Sequence, residues 1–425
     1  MSWCKVIDLF LNKQTFISFI RLVKKLVIFA RIVAAGCCMV FDNHFCMRKV
    51  ILAFDSFKGS VSSSEITESL SCCIRRNWPD CEVLGFPMAD GGEGTTEAIA
   101  CRLPVKRHLC QVHGPLMEPM AASYVVTADG TAIIEMAAAS GLPLLEVEQR
   151  NPMDTTTLGT GELICDALRR GYCKFVLGLG GSATNDAGVG VMHALGVRFL
   201  DVEGEVLQPV GRNLGRISQI DTSRVYAALK HASFLLACDV QNPLYGPQGS
   251  AYVYAPQKGA TPEQVVELDD GLRSYARVLE QTTGFKVSSV AGAGAAGGMA
   301  GGLLPFLNCE IKSGIDVLLD MVHFDEALQG ADLILTGEGS IDAQTCMGKA
   351  LSGILKRARA QQIPVVGLGG RVEAVEILNE FGFTALFPIH PSVMSLEEAM
   401  QKEVTLRHLN QTALQVLRLF FDLAL

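Results

Sequence analysis

Leu177-Gly178-Leu179-Gly180-Gly181-Ser182-Ala183-Thr184-Asn185-Asp186 is the stretch from which the fold can be read. An apolar run, Lys174 to Leu179, stops in two glycines and gives way to four polar side chains in five positions. That pattern reads as a buried parallel strand ending at a sheet edge. Glycines there let the backbone approach a ligand, and bare N–H groups can surround an anion. Ser182, Thr184, Asn185 and Asp186 then stand where open α/β sheets hold their ligands. A polar turn explains one such stretch equally well. Recurrence of the pattern decides between the two.

It recurs upstream. Lys49 to Phe54 is a strand that ends in Asp55-Ser56-Phe57-Lys58-Gly59-Ser60. Ser62 and Glu65 form a capping box, and Ile66, Leu70 and Ile74 follow at helical spacing. A second strand, Cys81 to Met88, runs into Ala89-Asp90-Gly91-Gly92-Glu93-Gly94, which opens a helix. Such a turn can hold phosphate through N–H groups while a carboxylate takes Mg²⁺; a capped turn is the plain alternative.

The pattern changes from Val105 to Ala139, where Ser123–Thr127 and Thr131–Glu135 flank Asp129-Gly130 as a hairpin. We read this as a second domain with antiparallel strands, inserted into the first. A helix over 161–170 with Gly171 after it leads into the strand at 174. Further apolar strands end at Asp239 and Asn242, at Gly337-Glu338 before Asp342, and at Gly369-Gly370. A helix is expected over about 348–360, a strand over 385–389, and a long C-terminal helix capped by Ser395 and Glu398. The fold class is therefore α/β: a Rossmann-like parallel-sheet domain, residues 48–104 and 288–425, split around an inserted mixed α/β domain, residues 105–287. The active site is expected in the cleft.

Composition agrees. In 425 residues, 49% hydrophobic content, 19% charged content and 42 glycines suit a soluble α/β enzyme with many tight turns. A net charge of −8 and no basic face beyond the N-terminus argue against nucleic acid as a partner. Fourteen scattered cysteines, without C-x-x-C or metal-ligand spacing, read as reduced thiols of a cytoplasmic protein. Residues 1–47 differ from the rest. Their apolar part is broken by Arg21, Lys24, Lys25 and Arg31, and its longest uncharged piece falls short of the roughly 20 residues of a membrane helix. A translated upstream segment before a start at Met47, a basic surface anchor, and a signal or transit peptide all fit this extension, which we place outside the fold. No membrane partner is expected, and a homo-oligomer is left open.

Gly292, Gly294 and Gly297 match G-x-G-x-x-G, with Asp316 about 20 residues on. The segment before them, Lys286 to Val290, is a poor strand, so a close-packed or hinge segment competes with dinucleotide binding. No Walker A sequence occurs. Asp55, Asp90, Glu93, Asp186, Asp239, Glu338 and Asp342 all follow apolar strands, and Lys58, Lys258 and Lys349 are cations in such turns. Acids and lysines beside glycine N–H groups suit phosphoryl transfer, which needs positioning, charge neutralisation and a base.

At this point the chain resembles a known family. Asp55 to Gly59 (DSFKG), Ala89 to Gly94 (ADGGEG), Ile134 to Gly141 (IEMAAASG), Thr157 to Glu162 (TLGTGE) and Gly180 to Asp186 (GGSATND) resemble the bacterial type I glycerate kinases. So do Ala237 to Val240 (ACDV), Asn242 to Leu244 (NPL), Pro256 to Ala260 (PQKGA), Gly292 to Gly298 (GAGAAGG) and Thr336 to Gly339 (TGEG). The resemblance runs from about Arg48 to the C-terminus. It implies ATP- and Mg²⁺-dependent phosphorylation of D-glycerate at the 2-hydroxyl, giving 2-phosphoglycerate, with the 3-hydroxyl as the alternative. An NAD(P)-dependent oxidoreductase and a non-catalytic metabolite sensor are the rivals from other classes. Ser340 stands where the family usually carries a basic residue, and Leu351 where it carries proline.

On this reading Asp186 is the base or orienter of the glycerate hydroxyl and Lys58 is catalytic. Ser182, Thr184, Asn185 and Asp239 surround the substrate. Asp55, Gly91, Gly92, Glu93, Gly94, Gly337, Glu338 and Lys349 hold ATP, and Asp90 with Glu338 holds Mg²⁺. Strand-end acids can exchange these roles.

Overall fold

The computed structural model describes residues 48–346 and 350–422. The extension 1–47 and Lys349 lie outside the described residues. Two sheets organise the chain. One is five-stranded and parallel, in the order Ala385–Pro388, Val365–Gly369, Leu333–Gly337, Lys49–Phe54, Glu82–Gly85. Numbered along the chain, that order is 2-1-3-4-5, the doubly wound arrangement whose ligands sit between its first and third strands. Those strands are Lys49–Phe54 and Leu333–Gly337, which end at Asp55 and Glu338.

The parallel strands are apolar at successive positions because both faces are covered. Val50, Leu52 and Phe54 face one core with Leu333, Leu335, Val366 and Leu368. Ile51, Ala53, Ile334 and Val365 face another. The first core is closed by the helix Ser63–Asn77, through Ile66, Leu70 and Ile74, and by the helix Lys402–Asp422, through Leu409, Ala413 and Leu417. Ser62 caps the first of these helices as the capping box requires: it accepts from Glu65 N–H while its own N–H donates to Glu65. The expected single C-terminal helix is two pieces, Leu396–Ala399 capped by Ser395, and Lys402–Asp422.

The second sheet has six strands, in the order Cys309–Lys312, Ser233–Ala237, Lys174–Gly178, Thr131–Glu135, Pro119–Thr127, Val105–His113. The first four are parallel and the last two antiparallel. The hairpin turns at Asp129-Gly130, with Gly130 at φ 82°, a left-handed conformation that suits glycine. Cys309–Lys312 pairs into this sheet although it lies beyond residue 288, where the sequence placed the return to the first domain. Alternate residues again divide: Ile134, Phe175, Leu177 and Leu236 enter this sheet's own core, while Ile133, Val176 and Ala237 face the core shared with the first sheet. The helices Thr95–Ala100 and Gly314–Met321 fill that shared layer through Ala98, Ile99, Leu318 and Leu319. Among the described residues no helix is long and apolar enough to cross a membrane. The ten described cysteines are free thiols.

Candidate active site

Strand ends of the two sheets meet through glycines. Gly180 N–H donates to Gly91 O at 3.3 Å, and a Cβ on Gly178 would lie 2.5 Å from that same oxygen. Leu179 N–H donates to Ala237 O at 3.2 Å. The loop after Glu82–Gly85 therefore lies directly on the ends of Lys174–Gly178 and Ser233–Ala237, a contact closed to any residue with a side chain at 178 or 180. Three adjoining cavities, of about 360, 660 and 500 Å³, run along this seam. The first two share Asp90, Gly180 and Gly181; the last two share Ser56, Phe57, Lys58 and Ser60.

The 360 Å³ cavity is lined by Ser182, Asp239 and Lys258 among others. Asp239 Oδ1 accepts from Ser313 Oγ at 2.7 Å and Gly314 N–H at 2.9 Å. Its Oδ2 is buried and has no partner among the described residues. Burial, with help from Asp90 and Asp316, pushes the Asp239 carboxyl up to about 6. Lys258 is 2% exposed and donates to Ser182 Oγ at 2.8 Å and Thr184 O at 2.7 Å. Burial lowers its ammonium to about 7, opposed by the charge of Asp186.

Asp186 itself is fully buried and lies beneath the loop rather than along these cavities. Its Oδ2 accepts from Thr157 N–H and Thr157 Oγ1, both at 2.8 Å, and from Gly190 N–H at 3.2 Å. Its Oδ1 accepts from Gly188 N–H at 3.2 Å. A carboxylate filled by four donors anchors the starts of the helices Leu158–Arg169 and Val189–Ala194. Three of those donors sit on Oδ2 and one on Oδ1. Thr184 and Asn185, also expected around the substrate, are fully buried with it. Of the expected loop residues, Ser182 reaches the cavity.

The 660 Å³ cavity gathers Asp55, Lys58, Asp90, Gly92, Glu93 and Gly94, as the strand-end pattern implied. Burial raises Asp55 to about 6, and Asp90 and Glu338 push the same way. Gly91 is buried against Ala237 O and Gly314 Cα, and Gly337 against Leu368 O, so both shape the backbone and neither lines any of these three cavities. Glu338 lines the 500 Å³ cavity with Ser340, Asp342, Arg371 and His390, and accepts from Thr345 Oγ1 at 2.8 Å. Asp90 and Glu338, expected as a metal pair, thus line different cavities, with Asp55 electrostatically coupled to both. Among the described residues no group of three or more His, Cys, Asp or Glu could hold a metal ion.

The glycine run at 292–302 is packing. A turn of 3-10 helix, Val287–Ser289, precedes it in place of a strand. Gly297, at φ 70°, presses on Thr184 O, and its carbonyl accepts from Ala187 N–H at 3.0 Å. This segment holds the 184–188 backbone from behind, so the dinucleotide alternative loses its structural context. Lys258 is the contributor to which the sequence assigned no individual role; its signal was a lysine in the turn Pro256-Gln257-Lys258-Gly259.

Carboxylates, a buried lysine and glycine-lined loops, gathered where two α/β sheets present their strand ends, define a phosphoryl-transfer class of site. Sequence comparison supplies the family. The chain belongs to the glycerate kinase family, whose model matches residues 50–421. It is 45% identical over 353 residues to a glycerate kinase of Bacillus cereus, covering 83% of this chain and 93% of that one. It is 42% identical over 356 residues to a glycerate 2-kinase of Escherichia coli, with 83% and 93% covered. A crystal structure assigned to glycerate kinase 2 of Salmonella typhimurium LT2 superposes with a TM-score of 0.75 at 38% identity, over 87% of this chain and 99% of that one.

Proposed function

We propose that this chain transfers the γ-phosphoryl group of ATP to the 2-hydroxyl of D-glycerate, giving 2-phosphoglycerate. The observation that carries the site assignment is Asp239: a carboxylate fixed on one oxygen, with the other buried and unpartnered among the described residues, on a residue that lines the 360 Å³ cavity. Asp239, not Asp186, then takes the hydroxyl proton. A carboxyl raised to about 6 is a stronger base than an ordinary aspartate and is still ionised at pH 7.

ATP occupies the 660 and 500 Å³ cavities, beside the switch point between the first and third strands of the parallel sheet. Lys58 faces the phosphates there. Asp55 with either Asp90 or Glu338 would hold Mg²⁺ at this end of the cleft, because these are hard oxygen donors and a cation would relieve the charge that Asp90 and Glu338 place on Asp55. Mg²⁺ needs one or two protein carboxylates, with waters and phosphate oxygens completing its shell. When bound it supplies charge neutralisation on the transferring phosphate.

The two sheets mark two domains in this proposal. The return crossing moves from residue 288 to just after Lys312, because Cys309–Lys312 pairs with Ser233–Ala237. A cytoplasmic location belongs to the same reading and accords with ten free thiols. The test is ADP release by the full chain with Mg-ATP and D-glycerate, with phosphorus NMR of the product. Glycerate-dependent turnover to 2-phosphoglycerate is expected. A 3-phosphoglycerate signal would displace the 2-hydroxyl assignment, and ADP release indifferent to glycerate would sink the kinase reading.

A further inference from the structure

Lys258 is a buried cation with no carboxylate against it. Both of its hydrogen-bond acceptors, Ser182 Oγ and Thr184 O, are uncharged. An ammonium has three donors, and no described residue takes the third. Asp186 acts on Lys258 through space, but its oxygens are occupied by Thr157, Gly188 and Gly190. Behind the turn, Gly259 presses on the backbone of Arg150. The same cavity is also lined by Asp90, Cys238, Asp239 and Tyr254. An ammonium taken out of water with two neutral partners lacks the counter-charge that would offset its desolvation. The cavity it lines is where that counter-charge can enter.

We propose that Lys258 is the specificity-determining residue for the acceptor's carboxylate: its ammonium pairs with the acid group on the Ser182 side of the cavity, while the hydroxyl faces Asp239. The proposal rests on the kinase reading for the identity of the acid, and on the geometry of Lys258 for the requirement of an anion. A neutral alcohol of the same size leaves the ammonium uncompensated and is rejected. A dianion places a second charge beside Asp239 and Asp90 and is rejected as well. The depressed ammonium adds a consequence. Binding of an anion restores the charged form, so acceptor binding takes up a proton wherever free Lys258 is neutral and bound Lys258 is not.

The first measurement is calorimetric binding of D-glycerate to the full chain in buffers of different ionisation enthalpy. Expected is uptake of most of one proton per glycerate at pH 8, falling towards zero at pH 5.5. Asp239, ordinarily ionised at pH 8, contributes little there. The second is steady-state kinetics of Lys258→Met and Lys258→Arg with D-glycerate and with glyceramide, its neutral amide. Lys258→Met should raise the glycerate KM roughly 30-fold or more, leave the ATP KM within about twofold, and erase most of the preference for glycerate over glyceramide. Lys258→Arg, which stays charged, should recover part of the glycerate affinity without proton uptake at pH 8.

ADP release by the wild type without proton uptake at pH 8 overturns the proposal and leaves the kinase reading intact. Glycerate binding with proton uptake but no ADP release does the reverse. Equal losses on glycerate and glyceramide in Lys258→Met would assign Lys258 a merely structural part and overturn the proposal. Should that variant fail to fold, the wild-type calorimetry still decides.

Discussion

Gly180 and Gly92 touch backbone to backbone, and a Cβ on Gly180 would strike the Cα of Gly92. The two glycines follow strands of different sheets, so this contact sets the spacing between the 360 and 660 Å³ cavities. Gly180→Ala should wedge the loops apart. A displacement near 1 Å costs about 10²-fold in reactions that depend on positioning. We expect kcat with D-glycerate to fall by about that factor, with circular dichroism unchanged. A variant with normal kcat would show that the loops tolerate wider spacing.

Asp239→Asn keeps an oxygen for Ser313 and Gly314 and removes the proposed base. Loss of a general base costs roughly 10²–10⁴-fold, and kcat should fall within that range while the glycerate KM moves little. The sign of the pH dependence follows from the raised carboxyl. Protonation below about 6 removes the base, so wild-type kcat/KM falls as pH drops through about 6. Neutralisation of Lys258 above about 7 removes the acceptor's counter-charge, so kcat/KM falls again on the alkaline side. The profile is therefore a bell, and Lys258→Arg should flatten its alkaline limb alone.

The same carboxyl makes a stability prediction. Its folded value of about 6 lies above the ordinary aspartate value of 3.8, so burying the charge penalises the fold. The penalty is complete above about pH 6 and disappears as pH falls below the unfolded value. Asp239→Asn should stabilise the ligand-free protein by about 2 kcal/mol at pH 7.5 and by nothing measurable at pH 3.5. Urea unfolding at the two pH values measures this.

Asp186→Ala strips the acceptor from Thr157, Gly188 and Gly190 in a site without water access. Leaving those donors unpaired should cost roughly 3–5 kcal/mol of stability. Folded protein at low temperature should keep kcat within about tenfold. Normal stability with a kcat loss beyond 10³-fold would return the base to Asp186.

Asp90→Asn removes one of the carboxylates around Asp55. Titration of activity with MgCl₂ at fixed ATP should show a Mg²⁺ requirement raised roughly tenfold, and chelation with EDTA should abolish turnover in both proteins. Activity that survives EDTA would remove the metal from the scheme.

Much of this was legible in the residues. Lys49–Phe54, Leu333–Gly337 and Val365–Gly369 announce themselves as continuous apolar runs, because both faces of a central parallel strand are buried. The Ser62–Glu65 capping box and the Asp129-Gly130 turn are local devices and appeared where their sequences place them. Cys309–Lys312 did not announce itself. It is a four-residue edge strand with alternating half-exposed residues, and only its pairing with Ser233–Ala237 makes it a strand.

The residues alone specify the α/β class, the polar strand ends and the family. Those depend on periodicity and on short motifs, which are local. Which of the polar residues line a cavity is settled by packing. Ser182 and Asp186 stand four positions apart in one polar run, yet one lines a cavity and the other is sealed beneath it by Thr157, Gly188 and Gly190. Asp239 and Lys258 line that cavity from separate segments. Hydrogen-bond saturation and burial are properties of the packed chain, and no spacing along the sequence encodes them.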